Sequence, residues 1–267
     1  SQPSSPSNDT TPTWSWNSVS GASHYAYRIS SNNGSTYGNW SSWSTSVSYT
    51  PTISVNATYK LQIKCKDLAG NESSITTSNS YVLDTVIATP TLSGLSGTIA
   101  STSVTYTASD VSGGGSKSVS YAFYVNGESI TGMQSSRTFT VTSTHNVTKS
   151  VKVQARDTAG NVSGFSNTLS FTPDVQGPAT VTITSPASPS NDVTPTWTWN
   201  NIESGATYRI RISSNNGASY PNFGNWSTSR TYTNTLSSDG SYKIQVQSRD
   251  SLGNEGTIAT SSSYILD

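Results

Sequence analysis

Tyr59, Leu61, Ile63 and Cys65 alternate with Lys60, Gln62, Lys64 and Lys66. Strict period-two alternation predicts a strand with one buried and one wet face. The run closes in Asp67-Leu68-Ala69-Gly70-Asn71, where Asp bonds backbone amides ahead of it and Gly accepts positive φ, so the strand should run into a tight turn. The device returns in Val151 to Asn161 and again in Tyr242 to Asn254. Its aspartates, Asp67, Asp157 and Asp250, lie 90 and 93 residues apart, so the chain reads as three copies of one unit.

The predicted units span 1–84, 85–174 and 175–267. In the first, strands are expected at Thr13 to Asn17 with both indoles on one face, and at Tyr25 to Ile29. Further strands are expected at Asn39 to Trp43, Val47 to Thr50 and Ile75 to Leu83. The second unit should place strands at Thr91 to Leu95, Val104 to Ala108, Val119 to Val125, Thr138 to Val141, Val151 to Ala155 and Thr168 to Phe171. Asn126-Gly127 is its hairpin turn, and the glycines in Ser112 to Ser116 suggest a mobile tip. It has no tryptophan and is the divergent copy. The third unit restores the first: Trp197 and Trp199 match Trp14 and Trp16, and Tyr208 to Ile212 matches Tyr25 to Ile29. Trp16 and Trp199 should be buried against Tyr27 and Ile210. No segment shows helical periodicity.

Ala179 to Pro186 is an alternating β-branched run that should be the first strand of the third unit. Aligning the turns places Ser1 opposite Thr184, so the first unit is expected to lack that edge strand. An uncovered edge invites pairing with another chain. Two expectations follow: an excerpt of a longer array, or a subunit completed head-to-tail by an identical neighbour. Numbering that opens at Ser1 without Met suits a processed or excised chain.

Only 10% of residues are charged, 14 acidic against 14 basic, and roughly a third are Ser or Thr. A neutral surface argues against nucleic acid and anionic membranes as partners. No apolar run approaches the length of a membrane-spanning helix. The single cysteine, Cys65, falls on the inward face where the other copies carry Ala155 and Ser248, and reads as a buried structural thiol.

The tryptophan of the early strand, the Tyr-x-Tyr of Tyr25 and Tyr27, and the Tyr59-to-Asn71 stretch together resemble fibronectin type III-like and bacterial Ig-like repeats. Such repeats occur in large bacterial surface and secreted proteins, where they form stalks. The resemblance covers nearly the whole chain and implies an all-β fold of three tandem antiparallel sandwiches in an extended rod. It implies a tyrosine corner at Tyr59 and Tyr242, a position held by Lys149 in the second unit. It also implies an extracellular or cell-surface structural protein with no enzymatic activity, a stalk or fibre segment of an adhesin or filament. The alternative is a carbohydrate-binding or accessory module of a secreted enzyme.

Candidate chemistry is sparse. His24 and His145 fall in different units with no nucleophile or acidic motif beside them in sequence, so both are expected to face solvent and no catalytic residue is assigned. Asp67 and Asn71 with the linker Asp84, and Asp157 and Asn161 with Asp174, could offer oxygen ligands to calcium at the joints, although an aspartate capping its own turn explains the motif without metal. Trp40, Trp43 and Trp226 lie in polar, glycine-bounded segments and could stack on glycans, packing over a sheet edge being the plainer reading. Asn-x-Ser/Thr sequons recur no more often than so many hydroxyl residues produce by chance, so they say nothing of glycosylation.

Overall fold

The computed structural model describes residues 1–112 and 118–267; most of the glycine-rich tip expected at Ser112 to Ser116 lies outside them. Among the described residues there are strands and turns but no helix. Tertiary contacts divide the chain into two compact units, one of residues 1–95, 105–141 and 150–170, the other of residues 96–104, 142–149 and 171–267. Sequence periodicity counts three units and compactness counts two, because the division runs through the middle copy.

In the first compact unit, the long strand Thr58–Lys66 pairs antiparallel with His24–Ser30. Its other edge meets two short strands, Thr76–Thr77 and Tyr81–Val82. A second sheet joins Trp14–Ser15 to Ser48–Tyr49. Trp14, Ile53, Tyr59, Leu61, Tyr81 and Leu83 form the core between the sheets. The alternation of Tyr59 and Leu61 with lysines and glutamine thus becomes inside and outside, as period two requires. The same unit holds Val119–Val125 paired with Lys149–Asp157 in register from Tyr121↔Ala155 to Val125↔Val151.

The second compact unit repeats the plan. Thr207–Ser213 pairs with Gly240–Arg249, which also pairs with Ala259–Thr260 and Tyr264–Leu266. The facing sheet is Ile183–Thr184, Thr196–Trp199 and Thr231–Thr233. Its core gathers Val181, Trp197, Trp199, Tyr208, Tyr242, Ile244 and Val246. Both expected tyrosine corners form: the Tyr59 hydroxyl donates to Val55 O at 2.7 Å and the Tyr242 hydroxyl to Ser238 O at 2.7 Å. The Ser15 N–H donates to Ser1 O at 3.1 Å, matching the Thr184↔Thr198 pairing.

Several elements differ from the sequence expectation, and serine explains most of them. Ile75 to Leu83 is two short strands because serines interrupt the ladder. The Leu61 N–H donates to Ser78 Oγ at 2.9 Å and the Cys65 N–H to Ser73 Oγ at 3.0 Å, each hydroxyl standing in for a backbone carbonyl. Asn39 to Trp43 is not a strand for the same reason: the Tyr27 N–H is taken by Ser41 Oγ at 3.0 Å. Ala179 to Pro186 contributes only Ile183–Thr184 to a sheet, since Thr182 gives its N–H to the Asn200 side chain. Trp199 is 4% exposed, but Trp16 is only half-buried, packed 6.2 Å from Tyr27. Cys65 is half-exposed and not a buried thiol, whereas Ala155 and Ser248 are fully buried.

Trp199→Ala should cost about 3–5 kcal/mol, the range for emptying a fully buried aromatic site. Trp16→Ala should cost about half as much, because less surface leaves water there. Denaturant unfolding of the two variants checks the difference, and equal losses would contradict the packing described.

Candidate functional site

Two features bring functional side chains together: ladders of aromatic rings and cations on the outer sheet face, and clasps at the repeat joints. The first ladder grows from the wet face of the Thr58–Lys66 strand. Register places Arg28 beside Gln62, Ala26 beside Lys64 and His24 beside Lys66. The segment 37–44 lies against the outer edge of this pair, held by Gly38 N–H to Ile29 O, Ser41 N–H to Tyr27 O and Ser44 N–H to Tyr25 O. Its rings fall between the cations. The Arg28 guanidinium lies 5.1 Å from the Tyr37 ring and 4.6 Å from Trp40. Lys64 lies 4.8 Å from Trp40 and 5.3 Å from Trp43, and Lys66 lies 4.6 Å from Trp43.

The third copy builds the same ladder from different residues. Arg211 lies 5.1 Å from Tyr220 and 4.3 Å from Phe223, Arg209 lies 4.8 Å from Phe223 and 4.5 Å from Trp226, and Arg249 lies 4.4 Å from Trp226. The guanidinium groups are fixed from behind, Arg209 by Gln247 and Glu255 and Arg211 by Gln245. At partly exposed sites each such contact is worth about 0.5–1 kcal/mol. Trp40, Trp43 and Trp226 are half-buried, and each has cations over its ring. Among the described residues the middle copy keeps one rung, Lys152 at 3.7 Å from Phe165. The alternation of cations on one strand with aromatics in the neighbouring segment was the available signal, and the sequence reading missed it by treating the indoles singly.

All three Asp-x-x-Gly-Asn turns cap themselves as expected. The Asn71 N–H donates to Asp67 Oδ1 at 2.9 Å and its amide to Asp67 Oδ2 at 2.8 Å. These bonds hold the Asp67 carboxyl below the ordinary aspartate pKa. Burial pushes Asp250 upward, but the bonds from Asn254 outweigh it and leave that carboxyl lowered as well. Gly70, Gly160 and Gly253 take the positive φ that each turn requires.

The grouping of possible calcium ligands differs from the sequence expectation. Asp84 does not join Asp67 and Asn71. Its carbonyl accepts the Asn161 amide at 2.8 Å, that is, from the next copy's turn, and Asp174 O likewise accepts from Asn254 at 2.9 Å and not from the Asp157–Asn161 turn. The turn therefore faces backward along the chain. Asp84, Asp157 and Asn161 are all buried at the first joint, where the Asn8 N–H also donates to Ala159 O at 3.0 Å. Among the described residues no three His, Cys, Asp or Glu side chains come together to hold a metal.

Both histidines are half-buried, contrary to the solvent-facing expectation. His24 contacts Ser23 Oγ at 3.0 Å, and His145 Nδ1 lies 3.5 Å from Asp174 Oδ1 and 3.3 Å from the Val175 N–H it faces at the second joint. The residues that meet His145 come from a linker 29 positions away, which local spacing cannot show.

No family model matches the chain, and no curated protein matches it. Among solved structures, it is similar to the FN1–FN3 domains of chicken CNTN1 at 16% identity, covering 97% of this chain and 94% of that one, with a TM-score of 0.33. It is also similar to the fibronectin(III)-like modules of Clostridium thermocellum CbhA at 16% identity, covering 64% of this chain and 92% of that one, with a TM-score of 0.36.

Asn161→Ala should destabilise the protein by about 1–3 kcal/mol, because it removes the side-chain amide bonds to Asp84 O and Asp157 Oδ2 at a buried joint and leaves the Asp157 carboxylate only the backbone donor. The exposed Asn71→Ala should change stability by less than about 0.5 kcal/mol. Thermal melts of both variants test this. EDTA should leave the melting temperature unchanged, and a fall that is reversed by added calcium would assign the metal to Asp84, Asp157 and Asn161.

Proposed function

We propose that the chain is a non-enzymatic extracellular structural protein, a stalk or fibre segment of a bacterial surface adhesin or filament. In this reading it consists of three sandwich repeats with boundaries at 1–84, 85–174 and 175–267. The observation that carries it is the clasp made twice, Asn161 on Asp84 O and Asn254 on Asp174 O. A turn that caps its own strand needs no further partner, yet both amides spend their second hydrogen on the end of the preceding repeat. Short linkers held in this way limit hinge motion between neighbours, which is what a spacer needs and a catalytic cleft does not. The working parts are then mechanical: a core in each repeat, a ladder stiffening its outer face, and a clasp at each joint.

The ladders support a second reading, a carbohydrate-binding or accessory module of a secreted enzyme. Half-buried indoles on an outer face suit stacking against a sugar ring, and a cation within reach can bond its hydroxyls. The two readings part on ligand binding. A glycan array probed with the whole protein is expected to give no signal. Binding that disappears in Trp226→Ala, with the melting transition still cooperative, would replace the stalk by the accessory module. Labelling of intact source cells by antibody against the chain tests the surface location.

A further inference from the structure

The wet face of the long strand pair carries positive charge at fixed levels. In the first repeat Lys60, Lys64 and Lys66 stand on one strand, and register sets Arg28 of the partner strand beside Gln62. The face therefore bears a cation every two residues, a spacing of about 6.8 Å along the strands. These are all the Lys and Arg residues between positions 1 and 84. The third repeat, 183 residues on, keeps every level. Lys243 stands for Lys60, Arg211 for Arg28 and Arg249 for Lys66. At the remaining level the cation changes strand: Lys64 faces Ala26, whereas Gln247, the counterpart of Lys64, faces Arg209. What the two repeats share is a charge at each level and not a particular side chain. In the middle repeat the row is broken, since Ser150 and Gln154 replace Lys60 and Lys64, and Gln154 faces Ala122.

The neutral total hides this sorting of charge. In the first repeat Asp9 and Asp67 sit in turns and Asp84 at the joint, away from the row. Among the described residues the recorded ion pairs of the two rows are Lys64 with Glu72 and Arg209 with Glu255, both at one level. The other levels keep their charge uncompensated. Three features narrow what such a row can hold. Trp40 is shared by Arg28 and Lys64, and Trp226 by Arg209 and Arg249, which favours a ligand that bonds the charges over one that stacks on rings. The outer edge is closed by the Gly38, Ser41 and Ser44 N–H groups, and in the third repeat by those of Gly224 and Ser227, so a peptide strand finds no main-chain partner there. Gln62 fixes the Arg28 guanidinium through Nε at 2.8 Å, one donor out of its five.

We propose that the cation rows of the first and third repeats each bind a linear phosphodiester polymer with a short polyol spacer, its phosphates lying against successive levels. Phosphates joined through three carbons are six bonds apart, as many as two peptide residues contain. An extended polymer of this kind therefore repeats at about the spacing of the cations. Arg28 and Arg211 offer forked donors to phosphate, and Lys60, Lys66, Lys243 and Arg249 hold the neighbouring phosphates by charge. The proposal adds a ligand to the spacer and holds equally for an accessory module, so its failure would leave the stalk reading in place.

Synthetic glycerol phosphate oligomers of two and of four phosphates are titrated into the whole protein by calorimetry at low and moderate salt. The longer oligomer is expected to bind about tenfold more tightly than the shorter, with an affinity that falls as salt rises. Lys60→Gln combined with Lys243→Gln touches none of the recorded ring contacts. It should weaken binding severalfold and lower the salt slope by about one, with the melting temperature unchanged. Glu72→Gln combined with Glu255→Gln should tighten binding by removing the competing carboxylates, an effect that a purely structural ladder would not give. No binding at low salt, equal affinity for the two oligomers, or binding untouched by the lysine substitutions would overturn the proposal. Tighter binding by single-stranded DNA with the same number of phosphates would also overturn it, by making nucleobases the recognised part.

Discussion

The serine hydroxyl that replaces a carbonyl in the sheet ladder is the contact on which the rest of this structure depends. On one edge the long strand of each repeat pairs with another strand in ordinary register. On its other edge the amides go to serine: Leu61 to Ser78, Cys65 to Ser73, Val153 to Ser166, Ala155 to Ser163 and Ile244 to Ser261. The same hydroxyls then donate to the carbonyl of the following residue, as Ser73 does to Ser74 and Ser261 to Ser262. Each serine therefore satisfies a strand donor, buried in the pairs of Val153, Ala155 and Ile244, and its own proton finds a carbonyl as well. A chain with so few charges can still satisfy its backbone because hydroxyls do what charged and amide side chains do elsewhere.

Consecutive repeats are joined by a related economy of donors. The asparagine that completes each Asp-x-x-Gly-Asn turn has two amide hydrogens, and only one is needed by its own aspartate. At the joints the other reaches the terminal carbonyl of the repeat before, so the turn and the linker become one hydrogen-bonded object. A substitution at Asn161 or Asn254 thus acts on the turn and the joint together, and the two effects will not add as independent ones.

The long strands, the tyrosine corners and the turn caps were legible in the sequence because each rests on local periodicity or on a side chain reaching its own neighbourhood. Tyr59 reaches four residues back, and Asp67 bonds four residues ahead. The short strands were not legible. Serine alternates like any polar residue whether it faces water or enters the ladder, so Ser41 and Ser78 gave no sign of breaking strands. The ladders escaped for a different reason, since Arg28 and Trp40 meet only after the segment 37–44 has folded across the sheet. The half-exposure of Cys65 and Trp16 could not be read from their own strands, because it depends on what lies over them. The direction of the clasps escaped as well: sequence order put Asp84 with the turn before it, and the fold gives it to the turn after.

Serine substitution also bears on how such a chain behaves at high local concentration. A strand edge with regularly spaced free amides recruits the edge of a neighbour, and tandem copies of similar sequence are the worst case for misassembly and aggregation. Here an incoming strand would find the amides of Leu61 and Cys65 already engaged by serine side chains of the same repeat, on either side of the short pairing with Thr76–Thr77. That would let a nearly uncharged polypeptide be crowded with copies of itself and remain a set of separate sandwiches.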